Sequence, residues 1–322
     1  MKKSGKVVEL MSSKKIAKIA TNQADSTSIT ILMDNYVDVL LPSSKNVIRT
    51  GPFLKEQLIA EHGLSFYLEV ESNGSKNYYL MDAGFTKIGV PHNIHSLNID
   101  IGNVSSIFLS HGHLDHYASI IEILKLMDRP VPFITHPDSF SPRYFVFPNG
   151  RVLGPWKLNK EELEETNAQI MAVKNAVPLG PGIISTGEID RLTDFEKPMA
   201  AARIVKNETI TNDPLLDDQG IIINIKGKGL IILSACAHAG IINMIKHSQK
   251  LTGEKKILAV IGGFHLVGSS EELLERTISE LKKIDPTHLM PTHCTGFKAI
   301  NTIAKSMPEK FILSSVGSRL IF

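Results

Sequence analysis

The chain has 322 residues, 43% hydrophobic and 21% charged, which is the range of an ordinary globular protein with a sizeable core. Its formal net charge of +2 gives no electrostatic pull toward nucleic acid or an anionic membrane. No apolar run approaches the roughly 20 residues of a membrane helix.

Residues 1–25 read as a basic tail, too broken by lysines and Glu9 for a secretory signal. Residues 26–322 are expected to form one domain. Strands are predicted at 28–33, 64–70 and 77–82, each rich in β-branched or aromatic residues and bounded by turn formers. A strand at 105–110 runs straight into SHGHLDH, residues 110–116, and apolar spacing predicts a helix over 115–127. A buried strand follows at 131–137. Residues 138–180 change character: Pro142, Pro148, Pro155, Gly150 and Gly154 punctuate a stretch carrying the only tryptophan, Trp156. This stretch reads as an insertion or lid, not regular core.

Regular structure resumes with a hairpin over 220–236, turning at Lys226-Gly227-Lys228-Gly229. A helix at 239–251, a strand at 256–263, a helix at 271–284 and a strand at 287–293 complete the chain. Alternating strands and helices make it an α/β protein, and the apolar strands imply sheets covered by helices.

Of the twelve histidines, His111, His113, His136, His238, His265 and His293 all stand at strand ends, where residues converge on one crevice. In SHGHLDH, residues two apart point the same way, so His111 and His113 can reach one metal. Asp115 and His116 open the next helix and can face a second. Histidine with aspartate suits zinc, iron, manganese or nickel better than calcium or magnesium. The two cysteines, Cys236 and Cys294, make no disulfide framework and favour a reducing, cytoplasmic compartment. His62, His92, His95, His247 and His288 read as structural or surface residues, and His136 as either structural or site-lining.

SHGHLDH resembles the signature of the metallo-β-lactamase-fold superfamily, and LMDAG (80–84) resembles its preceding motif, with Asp82 as a supporting acid. ITILMDN (29–35), EHGLSFYLE (61–69), TGEIDR (186–191), SACAHAGIINMI (234–245), IGGFHL (261–266) and PTHCTG (291–296) are similar to one branch, the archaeal-type dihydropteroate-synthase-like proteins. The resemblance implies a four-layer αββα sandwich, two mixed sheets between helices, with metals at one edge. It implies His111 and His113 on a first metal, Asp115 and His116 on a second, and His293 as the last ligand. Many members end the hairpin strand in Gly-Asp; here Ala235-Cys236 stands there, followed by His238. His238 is expected to supply the missing imidazole. Cys236 is either a thiolate ligand or a small residue packing below the site. Cys294 is expected to point away and pack.

Two divalent ions, zinc with iron or manganese as alternatives, would activate water and stabilise charge in a displacement. The leading expectation is a hydrolase acting on an ester, phosphoester or diphosphate-bearing small molecule. The resemblance implies an alternative, a transferase joining a dihydropterin diphosphate to a ribofuranosylaminobenzene phosphate. Asp115 and His265 are the expected catalytic residues, with His265 also a candidate for substrate contact or ligation. Arg191 is expected either at a substrate phosphate or in a salt bridge to Glu188. A low-turnover binding protein and a nuclease are further readings; the near-neutral charge disfavours the nuclease. A homo-oligomer is left open.

Overall fold

The computed structural model describes residues 22–322. Most of the basic tail therefore lies outside the described residues. Its last part is already tied into the fold: Ala24 is buried, and its amide donates to Asn224 O at 2.8 Å while its carbonyl accepts from Lys226 N at 2.9 Å.

Strand patterning explains the layers. In Ile221–Ile225, residues 221, 223 and 225 pack into the space between two sheets, whereas Ile222 packs outward under helices. Gly229–Ser234 does the same, with Ile231 and Leu233 inward and Leu230 and Ile232 outward. Side chains alternate along a strand, so a strand covered on both faces must be apolar throughout.

The first sheet has eight strands in the order 47–48, 319–321, 26–33, 65–72, 75–81, 104–108, 131–135 and 168–172. The second has six, in the order 178–180, 183–185, 221–225, 229–234, 257–263 and 288–292. Ile29, Phe66 and Phe108 of the first meet Ile223, Ile231 and Ile261 of the second. Helices Ile241–Thr252, Glu271–Ile284 and Phe297–Ser306 cover the outer face of the second sheet. Gly89–Ser96 and Ile120–Lys125 cover the first. The expected αββα sandwich is present.

Two expectations change in detail. The helix over 115–127 is split into Leu114–Tyr117 and Ile120–Lys125: Ser119 N turns to Ala83 O, and Ala118 N shares its helical bond to Leu114 O with Gly84 O. The stretch 138–180 is not all irregular. Ala168–Ala172 is an edge strand of the large sheet, paired in parallel with Val131–Thr135, and Pro178–Gly180 edges the second sheet. A short edge strand is half exposed and lacks the apolar density that marks a core strand. What does stand apart is a four-stranded sheet of 209–212, 202–206, 143–146 and 152–156, assembled from two distant pieces of chain.

Register brings the functional residues to one edge. Parallel pairing sets Ser234 beside Gly262, and Gly262 beside Pro291, so these strands end level. In the other sheet Met81 pairs with Phe108, which sets Asp82 beside the start of the histidine turn.

Candidate metal centre

Asp82 organises the turn. Its Oδ1 accepts from Ser110 N and its Oδ2 from Ser110 Oγ, both at 2.8 Å, and Oδ2 lies 2.7 Å from His116 Nδ1. Ser110 Oγ in turn lies 2.9 Å from His111 Nδ1. These contacts fix which nitrogen of His111 and of His116 is left free, the usual way an outer carboxylate or hydroxyl aims a ligand. Asp82 thus touches both Ser110 and His116.

The free nitrogens converge in two sets. His113 Nδ1 lies 3.0 Å from His111 Nε2 and 3.1 Å from His238 Nε2. In a tetrahedral site with bonds of ~2.0–2.1 Å, neighbouring ligand atoms lie about 3.3 Å apart, so these three nitrogens are spaced as ligands. Burial holds the His111 and His238 pKa values well below normal, with neighbouring imidazoles adding to it, and lowers His113 to about 3 with help from Arg143. All three are neutral, with lone pairs available.

The second set joins Asp115, His116 and His293. Asp115 Oδ2 lies 3.2 Å from His293 Nε2 and 3.7 Å from His116 Nε2. Burial opposes a charge on His116, but the Asp115 and Asp82 carboxylates raise its pKa to about 9.

Cys236 stands between the sets. Its Sγ is 3.2 Å from His116 Nε2, and it lies within 4.8 Å of the ligand atoms of both the His111–His238 pair and the His116–His293 pair. Its sulfur is thus within reach of both sets. Burial pushes its thiol pKa well up, so a thiolate here needs a cation beside it. The donor set of imidazole, carboxylate and thiol fits a metal, and the crowded, neutral nitrogens have no other partner to justify their approach.

No protein-family model matches the chain. It is 36% identical over 267 residues to the 7,8-dihydropterin-6-methyl-4-(β-D-ribofuranosyl)-aminobenzene-5'-phosphate synthase of Methanocaldococcus jannaschii, covering 82% of this chain and 90% of that protein. The chain belongs to the family of this synthase. An uncharacterized protein of the same organism is 31% identical over 264 residues, covering 81% of this chain and 94% of that one. A crystal structure of a metal-dependent hydrolase of the β-lactamase superfamily superposes with a TM-score of 0.72 at 21% identity, covering 91% of this chain and 98% of that chain. The synthase family's chain thus carries the metallo-β-lactamase fold, and it is an enzyme.

Outside the two sets, the structure sorts the remaining candidates. His265 is half-buried at the cavity wall, its ring 4.3 Å from that of His238, with Nδ1 lacking a partner. Arg191 does not line the cavity. Its Nη2 donates to Pro214 O at 2.6 Å and Nη1 to His238 O at 3.3 Å, so it braces the backbone behind His238 and is not free for a phosphate. Glu188 pairs with His136 at 3.0 Å and with Lys174 at 3.6 Å, so an Arg191–Glu188 bridge is not seen either. His136, with its other nitrogen accepting from Asp138 N at 3.0 Å, is structural.

Several contributors were missed. His62, read as a structural or surface residue, is exposed, yet it also lies 3.5 Å from Asp115 Oδ2 with its ring 4.8 Å from that of His293. Cys294 does not point away; its sulfur reaches the cavity beside Cys236 and His265. Asp34 Oδ1 accepts from His293 N at 2.9 Å, and Asn35 Oδ1 meets His293 Nδ1 at 3.1 Å. Arg143 is 1% exposed and bridges Asp213 and Asp217 at 2.7 Å each. Asp217 Oδ2 accepts from Gly112 N at 2.8 Å, so this buried network grips the backbone between His111 and His113. Only glycine fits there: a Cβ on Gly112 would lie 2.3 Å from Arg143 Nη1 and 2.6 Å from Ser139 O. The acidic pair in LDDQG, set just before the isoleucine-rich strand Ile221–Ile225, was the one visible sign of this network, through Asp217.

A cavity of about 470 Å³ opens over the two sets. Phe145, Leu153, Trp156, Met199 and Phe85 wall it, and none of its lining residues is lysine or arginine. Phe145 and Trp156 meet the His113 ring edge-on at 5.4 and 5.8 Å and each other at 4.8 Å. The small sheet therefore supplies an aromatic wall directly above the first ligand set.

Proposed function

We propose that the chain is a metal-dependent transferase that joins a dihydropterin diphosphate to a ribofuranosylaminobenzene phosphate, with loss of diphosphate. The carrying observation is the pairing of an aromatic, cation-free cavity wall with a floor of metal-ligand residues. Flat neutral rings suit the wall, because apolar and aromatic surface binds a planar ring through area and edge contacts. A leaving diphosphate suits only the floor. Similarity to the named synthase across 90% of its length supports the same reaction.

In this reading His111, His113 and His238 hold one divalent ion and Asp115, His116 and His293 a second, with Cys236 between them. Zinc suits these N, O and S donors best, and iron or manganese are alternatives. Such ions supply Lewis acidity toward the departing diphosphate. The chain's own residues do the rest. Phe145 and Trp156 orient the ring system. Asp115, half-buried, keeps His293 and His62 in place. His265 Nδ1, without a protein partner, takes the proton lost by the attacking amine. The free thiols accord with a reducing cytoplasm, and among the described residues no helix is long and apolar enough to cross a membrane.

Hydrolysis is the second reading, because the same two ligand sets serve a water nucleophile equally well. The separating experiment follows diphosphate release from the dihydropterin diphosphate with metal-loaded protein. Release that requires the arylamine, with appearance of the coupled product, supports the transferase. Release at an equal rate without the amine, or cleavage of bis-p-nitrophenyl phosphate that His113→Ala abolishes, supports the hydrolase.

A further inference from the structure

The ligand sets use one side of Cys236; its other side meets a second thiol. Cys236 follows strand Gly229–Ser234 and Cys294 follows His288–Thr292, and Ile257–Gly263 runs between them. The last residue of that middle strand has no side chain. A Cβ at Gly263 would lie 2.6 Å from Cys294 Sγ and 2.3 Å from Ala235 O. The missing side chain is what lets the Cys294 sulfur lean across the middle strand toward Cys236. Cys294 Sγ reaches within 3.5 Å of Cys236 O, and the two sulfurs and a His265 ring nitrogen all lie within 4.8 Å of one another. Both cysteines are free, and both line the cavity, so a small oxidant has a path to them.

We propose that Cys236 and Cys294 form a modification site: a peroxide closes them into an intramolecular disulfide, and closure removes the Cys236 thiolate from between the two ligand sets. The sulfur of Cys294, with a His265 ring nitrogen nearby to take its proton, attacks the O–O bond of hydrogen peroxide and becomes a sulfenic acid; the other oxygen leaves as water with that proton. The sulfur of Cys236 then attacks the sulfenic sulfur. An S–S bond forms, the S–O bond breaks, and the hydroxyl leaves as a second water with the Cys236 proton. Two thiols have given two electrons to one peroxide, and a dithiol reductant reverses the change. The thiolate is the metal ligand, and a sulfur tied up in a disulfide is no longer one, so the cross-link and ligation by Cys236 exclude each other. The effect on metal rests on the reading of Cys236 as a ligand; the cross-link does not.

The test exposes full-length protein, zinc-loaded and metal-free, to hydrogen peroxide, then digests it without reduction. The expected result is one cross-linked peptide pair holding Cys236 and Cys294, with free thiols falling from two to zero. From the loaded protein, zinc is released to a chromogenic chelator, and dithiothreitol restores both thiols and zinc binding. Cys236→Ser removes the cross-link and leaves Cys294 trappable by dimedone as a sulfenic acid; Cys236→Ala repeats this if serine unfolds the chain by circular dichroism. Oxidation of Cys236 to a sulfinic acid while Cys294 keeps its thiol would overturn the proposal. A disulfide that forms with zinc retained overturns the link to the metal centre. The cross-link is read by peptide mass, so it is detected whether or not the protein turns over pterin or phosphodiester substrates.

Discussion

One half of the candidate ligand cluster comes from a single turn, residues 110–116, and the other from the ends of two separate strands. The turn is held from two sides, by Asp82 below and by the Arg143–Asp217 network above. Cys236, His238 and His293 have no common turn; level strand ends bring them together, and Asp34 and Arg191 hold the backbone at His293 and His238. Local bonding thus builds the first half, and sheet register builds the second.

If that contrast is right, single ligands should hurt most, and both halves equally. His113→Ala and His293→Ala should each cost more than about 100-fold in activity and empty one metal position, because even an outer partner is worth about 10–100-fold. Elemental analysis beside turnover checks this; full metal content in either variant would break the pairing of the two sets. Arg143→Met should destabilise the fold by about 3–5 kcal/mol in denaturant unfolding, the usual result of orphaning buried charges, here on Asp213 and Asp217. Arg143→Lys should recover only part of this, since one ammonium cannot bridge two carboxylates in a fixed fork. Asp82→Asn should lower metal affinity by about 10–100-fold with little unfolding, read by competition with a chelator. Trp156→Ala should be mildest: an aromatic contact of about 0.5–1.5 kcal/mol predicts roughly a 2- to 13-fold rise in KM with kcat nearly kept. An equal fall in kcat would mean that the small sheet positions the turn as well as the substrate.

The same contrast decided what could be read from the residues. SHGHLDH is contiguous and its spacing states its geometry, so the convergence of its side chains was legible from the residues, whereas Asp82 was picked out only through the resemblance of LMDAG to a family motif. His238 and His293 were singled out by their places at strand ends and by the family resemblance, and level strands do bring them to one edge. Cys294 was misjudged because the residue after a ligand on an extended strand points the other way, whereas here the chain leaves the strand at His293 into a tight turn with φ of 48°. His62 lies on no strand end and in no motif spacing, and Arg143 follows a proline in a segment whose pairing partner, Ala202–Lys206, is far along the chain. Contacts of that kind depend on how distant pieces meet, which composition and periodicity do not encode.

The separateness of the small four-stranded sheet has its own consequence. It carries the aromatic wall but contributes none of the candidate metal ligands. Substrate range can therefore drift through residues such as Leu153 or Met199 while the ligand cage stays intact, a division of labour that lets one catalytic floor serve many ceilings. Arg143 is where the two are stitched: it lies on the small sheet and grips the turn of the floor, so it marks how far the ceiling can be remodelled before the floor shifts with it.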